Sequence, residues 1–219
     1  MTVSVLLPTL NEETNIIHTI KEVRQVLPNA EIVVIDGLST DKTVELAKSM
    51  GVKILLEKRN GKGFAIKKAF EEVESDHILM IDADLTYPVK DMPKFLKALE
   101  KYDVVMGSRF KGHFEDGSMP LVNGFGNRVI CVVASVLYLK PVSDVCTGMW
   151  GFRKKAYKSM KISAHTFELE CNMFAQAVKK GFNISEIPIT YSRRGGESKV
   201  RLIDGVKDCV LLLRERFTD

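Results

Sequence analysis

The chain has 219 residues, of which 45% are hydrophobic and 27% are charged, and its formal net charge at pH 7 is +4. This length suits one α/β domain with a full core, and the composition is that of an ordinary soluble globular protein. The charge is too small to indicate nucleic-acid binding, so we expect no nucleic acid among the partners. It is compatible with an anionic ligand or an anionic membrane surface.

Strand-like and helix-like segments alternate through the first half of the chain. Nearly continuous apolar runs, rich in β-branched residues, predict strands at 3–7, 31–35, 52–56, 78–81 and 104–106. Apolar residues recur at helical spacing within 16–27, 44–50, 66–73 and 92–99. This alternation predicts an α/β fold with a mostly parallel central sheet and peripheral amphipathic helices.

The pattern changes after residue 110. Glycine, proline and polar residues dominate 111–127, which predicts a mobile loop. Helices are predicted at 128–139 and 167–180, and a short strand at 187–191 leads into a basic, glycine-rich loop at 192–199. Because no internal repeat or low-complexity linker interrupts the chain, one domain is the simplest interpretation.

Cysteine spacing and the N-terminal sequence indicate the compartment. The 4 cysteines form no C-x-x-C pair, so neither a zinc knuckle nor a disulfide framework is predicted. The first residues lack the basic start and long apolar core of a signal peptide, and no segment reaches the roughly 18 apolar residues of a membrane span. We therefore expect a reducing, cytoplasmic location.

The most informative motif is DADLTYP, residues 82–88, which follows the predicted strand at 78–81. A buried strand that delivers Asp82 and Asp84 to its exposed end can hold a hard divalent cation with open positions for phosphate oxygens. A solvated acidic turn is the alternative for an isolated pair of this kind. The surrounding polar residues decide between the two interpretations.

Polar residues also follow three other predicted strands, at 8–13, 36–41 and 107–109. In a parallel sheet, ligands bind beyond the carboxyl ends of the strands, so these residues are expected to converge with the acidic pair. Asp36 lies one residue too early to cap the next helix and is predicted to accept hydrogen bonds from a base or ribose, with a turn role as the alternative. Glu12 fits either a ligand contact or the dipole of the first helix.

Arg109, Arg128, Arg193 and Lys199 are the candidate anion-binding residues. The planar fork of arginine matches phosphate oxygens, and a lysine in a glycine-rich loop acts as a point charge against a diphosphate. A solvated surface charge is the alternative for each. Lys62 stands between two glycines and offers a further charge beside backbone that a ligand can approach closely.

The C-terminal segment, 201–219, has the pattern of an amphipathic helix. Its apolar residues fall on one helical stripe: Leu202, Ile203, Val206, Cys209, Val210, Leu213 and Phe217. Basic residues accompany this stripe, which is typical of a helix that lies on an anionic bilayer, and packing on the domain is the alternative. Together with the apolar helix at 128–139, it predicts peripheral attachment to a membrane surface.

Eight segments, each present once, follow one another in a characteristic order along nearly the whole chain: PTLNEETN, VVIDGLSTDKT, GKGFAIKKAF, DADLTYP, GSRF, TGMWGFR, FELE and RRGGESK. In this order and spacing they resemble the family 2 glycosyltransferases of the GT-A fold, and within them the dolichyl-phosphate or polyprenyl-phosphate sugar synthases. The resemblance implies a single Rossmann-like GT-A domain over 1–200, with a nucleotide-binding half at 1–110 and an acceptor-binding half at 111–200. The helix at 201–219 would follow as a possible membrane-interface element.

The resemblance also implies an activity: inverting, metal-dependent transfer of a hexose or N-acetylhexosamine from a nucleoside-diphosphate sugar to dolichyl or polyprenyl phosphate. The donor would be GDP-mannose or a UDP-sugar, at the cytoplasmic face of a membrane. Asp82 and Asp84 would bind Mg²⁺ or Mn²⁺, and Thr86 stands where relatives often carry a glutamine as a further ligand.

The remaining roles follow from the same resemblance. The nucleotide would be surrounded by Pro8, Leu10, Glu12, Asp36, Lys62, Asp82, Ala83 and Asp84. Arg193 and Lys199 would hold the leaving diphosphate, and Arg109 with Arg128 would receive the acceptor phosphate. Asp144, Glu168 and Glu170 would shape the sugar site, with a general-base role as the alternative.

Other protein classes share parts of the pattern. Residues 79–86 match the first motif of haloacid-dehalogenase-type phosphatases, in which Asp82 would be the nucleophile, but here three strand–helix units precede it. A nucleotidyltransferase would carry a glycine-rich basic signature after the first strand, where this chain has Asn11-Glu12-Glu13. A non-catalytic nucleotide-sugar binding module and a family 2 enzyme with a non-lipid acceptor complete the alternatives.

Overall fold

A computed structural model describes residues 1–166, 168–193 and 202–218. In this part of the chain seven strands form one sheet: β1 (Val3–Thr9), β2 (Glu31–Asp36), β3 (Lys53–Leu56), β4 (His77–Met80), β5 (Val104–Phe114), β6 (Trp150–Arg153) and β7 (Ile184–Tyr191). The helices are α1 (Ile16–Val26), α2 (Thr43–Ser49), α3 (Lys62–Glu72), α4 (Met92–Leu99), α5 (Leu121–Tyr138), α6 (Lys154–Ser159), α7 (Leu169–Lys179) and α8 (Leu202–Phe217). A short 3-10 turn, Val89–Asp91, precedes α4.

The strand order is β3-β2-β1-β4-β6-β5-β7, and only β6 runs antiparallel to its neighbours β4 and β5. The predicted single α/β domain with a mostly parallel sheet is therefore confirmed. The chain moves outward from β1 to β2 and β3 and then returns to place β4 on the other side of β1. Such a reversal opens a crevice at the carboxyl ends of the two strands, where α/β proteins bind ligands.

Both faces of the sheet are covered, which explains the nearly continuous apolar strands. Side chains alternate along β1, so Leu6 joins the core beneath α3 and α7, while Val5 and Leu7 join the core beneath α1 and α4. All three side chains are fully buried. The carboxyl ends of these strands are thus held in a rigid frame.

The predicted loop at 111–127 is wrong over most of its length. Strand β5 continues to Phe114 and α5 begins at Leu121, so only 115–120 connect them. The distal part of β5 pairs with β7, where a Cβ on Gly112 would lie 1.9 Å from the carbonyl oxygen of Ile189. Glycine occurs both in loops and where two strands approach each other closely. The glycine-rich composition of this segment therefore did not distinguish a strand from a loop.

Helices α5 and α8 lie side by side and leave apolar side chains exposed. These exposed residues, called here the α5–α8 apolar face, are Val122, Phe125, Val129, Val132, Val136, Leu139, Val206, Val210, Leu213 and Phe217. The opposite side of α8 is buried and includes Asp208, Leu212 and Glu215. Within residues 1–166, 168–193 and 202–218, no helix combines the length and apolar character needed to cross a bilayer.

A charged pair after β3 yields a pH-dependent stability prediction. The Arg59 guanidinium donates to both carboxylate oxygens of Glu57, at 2.9 and 2.8 Å, and these hydrogen bonds lower the pKa of Glu57 from 4.5 to about 2. A lowered carboxyl pKa means that the stabilisation is complete above pH 4.5 and disappears as the pH falls towards 2. Since Arg59 is half exposed and water screens the pair, we expect Glu57→Gln to lower the thermal midpoint only slightly at neutral pH.

The measurement is the thermal midpoint of Glu57→Gln beside that of the parent between pH 7 and pH 3. The gap between the two midpoints should narrow as the pH falls below 4.5. A gap that stays constant over this range would assign the effect to packing instead of charge.

Candidate active site

A cleft of about 1100 Å³ opens at the carboxyl ends of β1, β2 and β4. One end is formed by residues that follow these strands and by the start of α3: Pro8, Thr9, Leu10, Glu12, Gly37, Asn60, Gly61, Lys62, Asp82, Ala83 and Asp84. The other end is formed by α5 and α8. The cleft therefore lies at the switch in strand order, where polar residues from several strands were expected to converge.

Three charged residues that line this cleft form an ion triad. The Lys62 ammonium donates to Asp82 Oδ1 and to Glu170 Oε1, each at 2.6 Å. Although burial opposes it, the charges of the two carboxylates raise the pKa of Lys62, so the lysine stays protonated. Lys62 thereby fixes the carboxylate of Asp82 at the cleft surface.

The Asp84 carboxylate is fixed by hydrogen bonds from the turn that follows it in the chain. Its Oδ1 accepts hydrogen bonds from the Thr86 amide at 3.1 Å and the Thr86 hydroxyl at 2.6 Å. Leu85 between them adopts a left-handed φ of 63°, which closes this tight turn. Thr86 is fully buried and does not line the cleft, so its hydroxyl supports Asp84 and is not presented as a ligand beside it.

The acidic pair has the donor atoms that Mg²⁺ and Mn²⁺ prefer, namely carboxylate oxygens. Both residues line the cleft, and the Asp82 side chain is 28% exposed. Gly148 leaves space for it, because a Cβ there would lie 2.1 Å from Asp82 Oδ2. The Gly148 amide also donates to the buried Tyr87 hydroxyl at 2.7 Å, so the DADLTYP and TGMWGFR segments fit together.

The structure places Asp36 differently from the predicted ligand contact. Its carboxylate is fully buried and accepts hydrogen bonds from the Ser39 amide at 2.8 Å, the Ser39 hydroxyl at 2.6 Å and the Thr9 hydroxyl at 3.2 Å. Gly37, and not Asp36, lines the cleft. The turn role is therefore the one observed, because the chain reverses immediately after β2 and directs the carboxylate into its own loop.

Arg109 lines the cleft but is already paired. Its guanidinium donates to both carboxylate oxygens of Asp144 at 2.7 Å and to the Cys146 carbonyl at 3.0 Å. Asp144 is fully buried and Arg109 nearly so. Arg109 was predicted to contact an acceptor phosphate, but in the structure its guanidinium is paired with the Asp144 carboxylate. This pairing reduces the positive charge that Arg109 can offer to a ligand in the cleft.

The other predicted cations are separated. Arg128 lies over the Phe110 ring at 5.2 Å in a shallow hollow outside the cleft, so the structure does not bring it together with Arg109. Arg193 is exposed and lines the cleft. It lies beside Gly117, where an added Cβ would be 3.6 Å from the Arg193 guanidinium. Lys199 lies outside the described residues.

Sequence reasoning gave no ligand role to several residues of the cleft. Asn60, Tyr87 and Tyr191 belong to this set, although Tyr87 lies within a motif that the sequence singled out. The apolar end of the cleft lies in segments that the sequence assigned to acceptor binding, at 111–200, and to a membrane surface, at 201–219. There, Val122, Phe125, Val129, Val206 and Cys209 of α5 and α8 line the cleft.

The sequence of the chain is similar to those of known proteins. The family model for glycosyl transferase family 2 matches residues 4–160 of this chain. A dolichyl-phosphate hexose transferase from Haloferax volcanii is 33% identical over 90% of this chain and 86% of its own length. The low-salt glycan biosynthesis hexosyltransferase Agl6 from the same organism is 38% identical, and the chain spans 50% of its length.

The fold also matches a solved structure. Glucosyl-3-phosphoglycerate synthase from Mycobacterium tuberculosis, in complex with Mn²⁺, UDP and glucosyl-3-phosphoglycerate, superposes with a TM-score of 0.76. The match covers 98% of this chain and 78% of that one, at 19% identity. At this identity the likeness concerns the fold alone.

Proposed function

Because the chain belongs to glycosyltransferase family 2, we propose that it transfers a hexose or N-acetylhexosamine from a nucleoside-diphosphate sugar to dolichyl or polyprenyl phosphate. The observation that carries this proposal is the continuity of the cleft. It joins the acidic pair Asp82 and Asp84 at one end to apolar residues of α5 and α8 at the other. A charged nucleotide-sugar donor and a lipid-linked acceptor would match the charged and the apolar parts of this cleft.

The donor would occupy the end of the cleft beside β1, β2 and β4. There Pro8, Leu10 and Gly37 would enclose the nucleoside, and Asp82 and Asp84 would hold Mg²⁺ or Mn²⁺. Bound there, the metal would supply Lewis-acid neutralisation of the diphosphate. Arg193, at the rim, would add charge to the same diphosphate, and Lys199 is proposed for the same task.

The acceptor phosphate would attack from the opposite side. Its oxygen would form the new bond to the anomeric carbon, while the bond between that carbon and the diphosphate oxygen breaks and the nucleoside diphosphate leaves with the electron pair. A phosphate monoester with a second pKa of ~6 is already largely dianionic at neutral pH, so no side chain has to remove a proton. Glu170, held by Lys62, would then shape the sugar site.

The lipid part of the acceptor would leave the cleft between α5 and α8. Val122, Phe125, Val129 and Val206 line the cleft and also belong to the α5–α8 apolar face. A lipid chain bound along these residues would contact their apolar side chains on its way from the reacting phosphate to the bilayer. The name of the relative that transfers hexose to dolichyl phosphate supports this choice of acceptor.

The decisive experiment offers a panel of radiolabelled nucleotide sugars with Mn²⁺ and either polyprenyl phosphate or 3-phosphoglycerate. Label that enters the organic phase with one donor supports the proposal and identifies the sugar. Label that enters only the water-soluble 3-phosphoglycerate product would assign a non-lipid acceptor. Failure with every donor and both acceptors would contradict the transferase assignment.

The α5–α8 apolar face yields a prediction about membrane binding. We propose that the protein lies peripherally on the cytoplasmic face of a membrane, with this face in the interfacial layer. Leu213→Glu and Phe217→Glu should each lower co-flotation with anionic liposomes severalfold, because a carboxylate would enter the apolar contact and repel the lipid charge. Phe217 is 83% exposed, so the substitution should leave the fold intact.

Leu56→Glu is the matched control, since Leu56 is 46% exposed, as Leu213 is at 45%, but lies at the end of β3. It should float like the parent. Equal flotation of all three variants would contradict attachment through α5 and α8.

A further inference from the structure

Two thiols and a carboxylate meet in the wall of the cleft, outside the acidic pair. Cys146 precedes β6, Cys171 lies in α7 and Asp208 lies in α8, and their Sγ and carboxylate oxygen atoms are all within 4.8 Å of one another. Cys171 is 1% exposed and Asp208 is 7% exposed, while Cys146 and Asp208 line the cleft. The cluster is therefore buried on one side and accessible from the cleft on the other.

Asp208 is incompletely satisfied in this cluster. Its Oδ1 is buried and makes no hydrogen bond within the described part of the chain. A buried acceptor without a partner is costly, and a cation at this point would satisfy it.

We propose that Cys146, Cys171 and Asp208 bind a thiophilic divalent cation of the Zn²⁺ class, with one remaining coordination position directed to the cleft. Thiolate sulfur selects Zn²⁺ over Mg²⁺ and Mn²⁺, which prefer the all-oxygen donors of Asp82 and Asp84. Tetrahedral zinc with Zn–S bonds of about 2.3 Å needs sulfur atoms ~3.8 Å apart, so only a small closure of the cluster is required. Three protein ligands with an open position are a common zinc arrangement.

Such a site would connect three segments that are distant in sequence. Cys171 belongs to the buried helix α7, whereas Asp208 belongs to α8, which packs on α5 and α7 at the surface. The ion would fasten α8 to the core of the domain and so hold the α5–α8 apolar face in place. This inference does not depend on the identity of the sugar donor or of the acceptor.

The test uses the full chain, reduced and stripped of metal, with Co²⁺ as a spectroscopic probe. A single equivalent should produce the thiolate-to-cobalt charge-transfer band and the visible bands of tetrahedral coordination, and Zn²⁺ should abolish them. Cys146→Ser, Cys171→Ser and Asp208→Asn should each weaken binding at least ~tenfold, the loss seen on removing even outer-shell partners of a metal site. Zn²⁺ should also raise the thermal midpoint of the parent but not of these variants.

Two controls separate this site from its surroundings. Cys209→Ser changes a thiol that lines the same cleft but lies outside the cluster, and it should keep the bands. Asp84→Asn should keep them too, even where sugar transfer is lost. Absence of the bands in a parent with all thiols shown to be reduced, or their persistence in Cys171→Ser, would overturn the proposal.

Discussion

Asp84→Asn is expected to lower the rate of sugar transfer by about 10²- to 10³-fold, the loss typical of removing one group that stabilises transition-state charge. The substitution removes the negative charge that would hold Mg²⁺ or Mn²⁺ against the departing diphosphate. It keeps an oxygen that can accept the hydrogen bonds from the Thr86 amide and hydroxyl. The turn should therefore survive, and the loss should lie in the chemistry.

The measurement is the initial rate of label transfer, with the metal concentration varied. Chelation should abolish activity in the parent, and excess Mn²⁺ should restore part of the rate in the variant. Asp91→Asn is the matched control, because Asp91 is as buried as Asp84, at 5% exposure, but lies outside the cleft. If Asp84→Asn retained a rate within about twofold of the control, the metal role given to this pair would be wrong, since such a ligand is worth far more.

The largest effect on stability is expected at the buried pair of Arg109 and Asp144. Removing one member leaves the other charge buried without compensation, which typically costs 3–5 kcal/mol. Asp144→Asn and Arg109→Met should each lower the free energy of unfolding by roughly this amount. The double variant Arg109→Met/Asp144→Leu should lose less than the sum of the single changes, since neither charge is stranded.

Urea denaturation of the parent, both single variants and the double variant measures this coupling. Lys53→Met provides the comparison, because its pair with Glu31 is exposed on both sides at 40% and 45% and has a 3.8 Å separation. An exposed pair of this kind contributes at most about 1 kcal/mol. Strict additivity of the Arg109 and Asp144 changes would show that the pair does not act as a unit.

The strands illustrate what a local pattern can predict. Apolar runs such as 32–35 are buried on both faces of the sheet, and a central strand covered on both faces is the usual way to bury such a run. The position of Asp82 and Asp84 followed from the same reasoning, since they come directly after such a strand. Asp36 also comes directly after a buried strand, but its carboxylate does not face the cleft. It accepts hydrogen bonds from the Ser39 amide and hydroxyl in the turn after β2.

Helix α8 illustrates what a local pattern cannot predict. The sequence showed an apolar stripe but not which side of the helix faces the domain. In the structure Leu213 and Phe217 are exposed, while Glu215 is buried and accepts hydrogen bonds from Ser163 at 2.6 Å and Gln176 at 2.8 Å. A buried carboxylate is costly unless it accepts hydrogen bonds, and these two donors supply them. They lie about 40 to 50 positions from Glu215 in the chain and reach it because α7 and the segment before α7 pack against α8.

The sequence by itself determined the α/β class, the family motifs and the acidic pair, because each depends on residues that are neighbours in the chain. The tertiary structure alone decided the pairing of Lys62 with Asp82 and Glu170, of Arg109 with Asp144, and the meeting of Cys146, Cys171 and Asp208. Charge pairing acts over a few ångströms in space and is indifferent to separation along the chain. Which cation of this protein faces a ligand, and which faces another side chain, is therefore settled only when the strands and helices have packed.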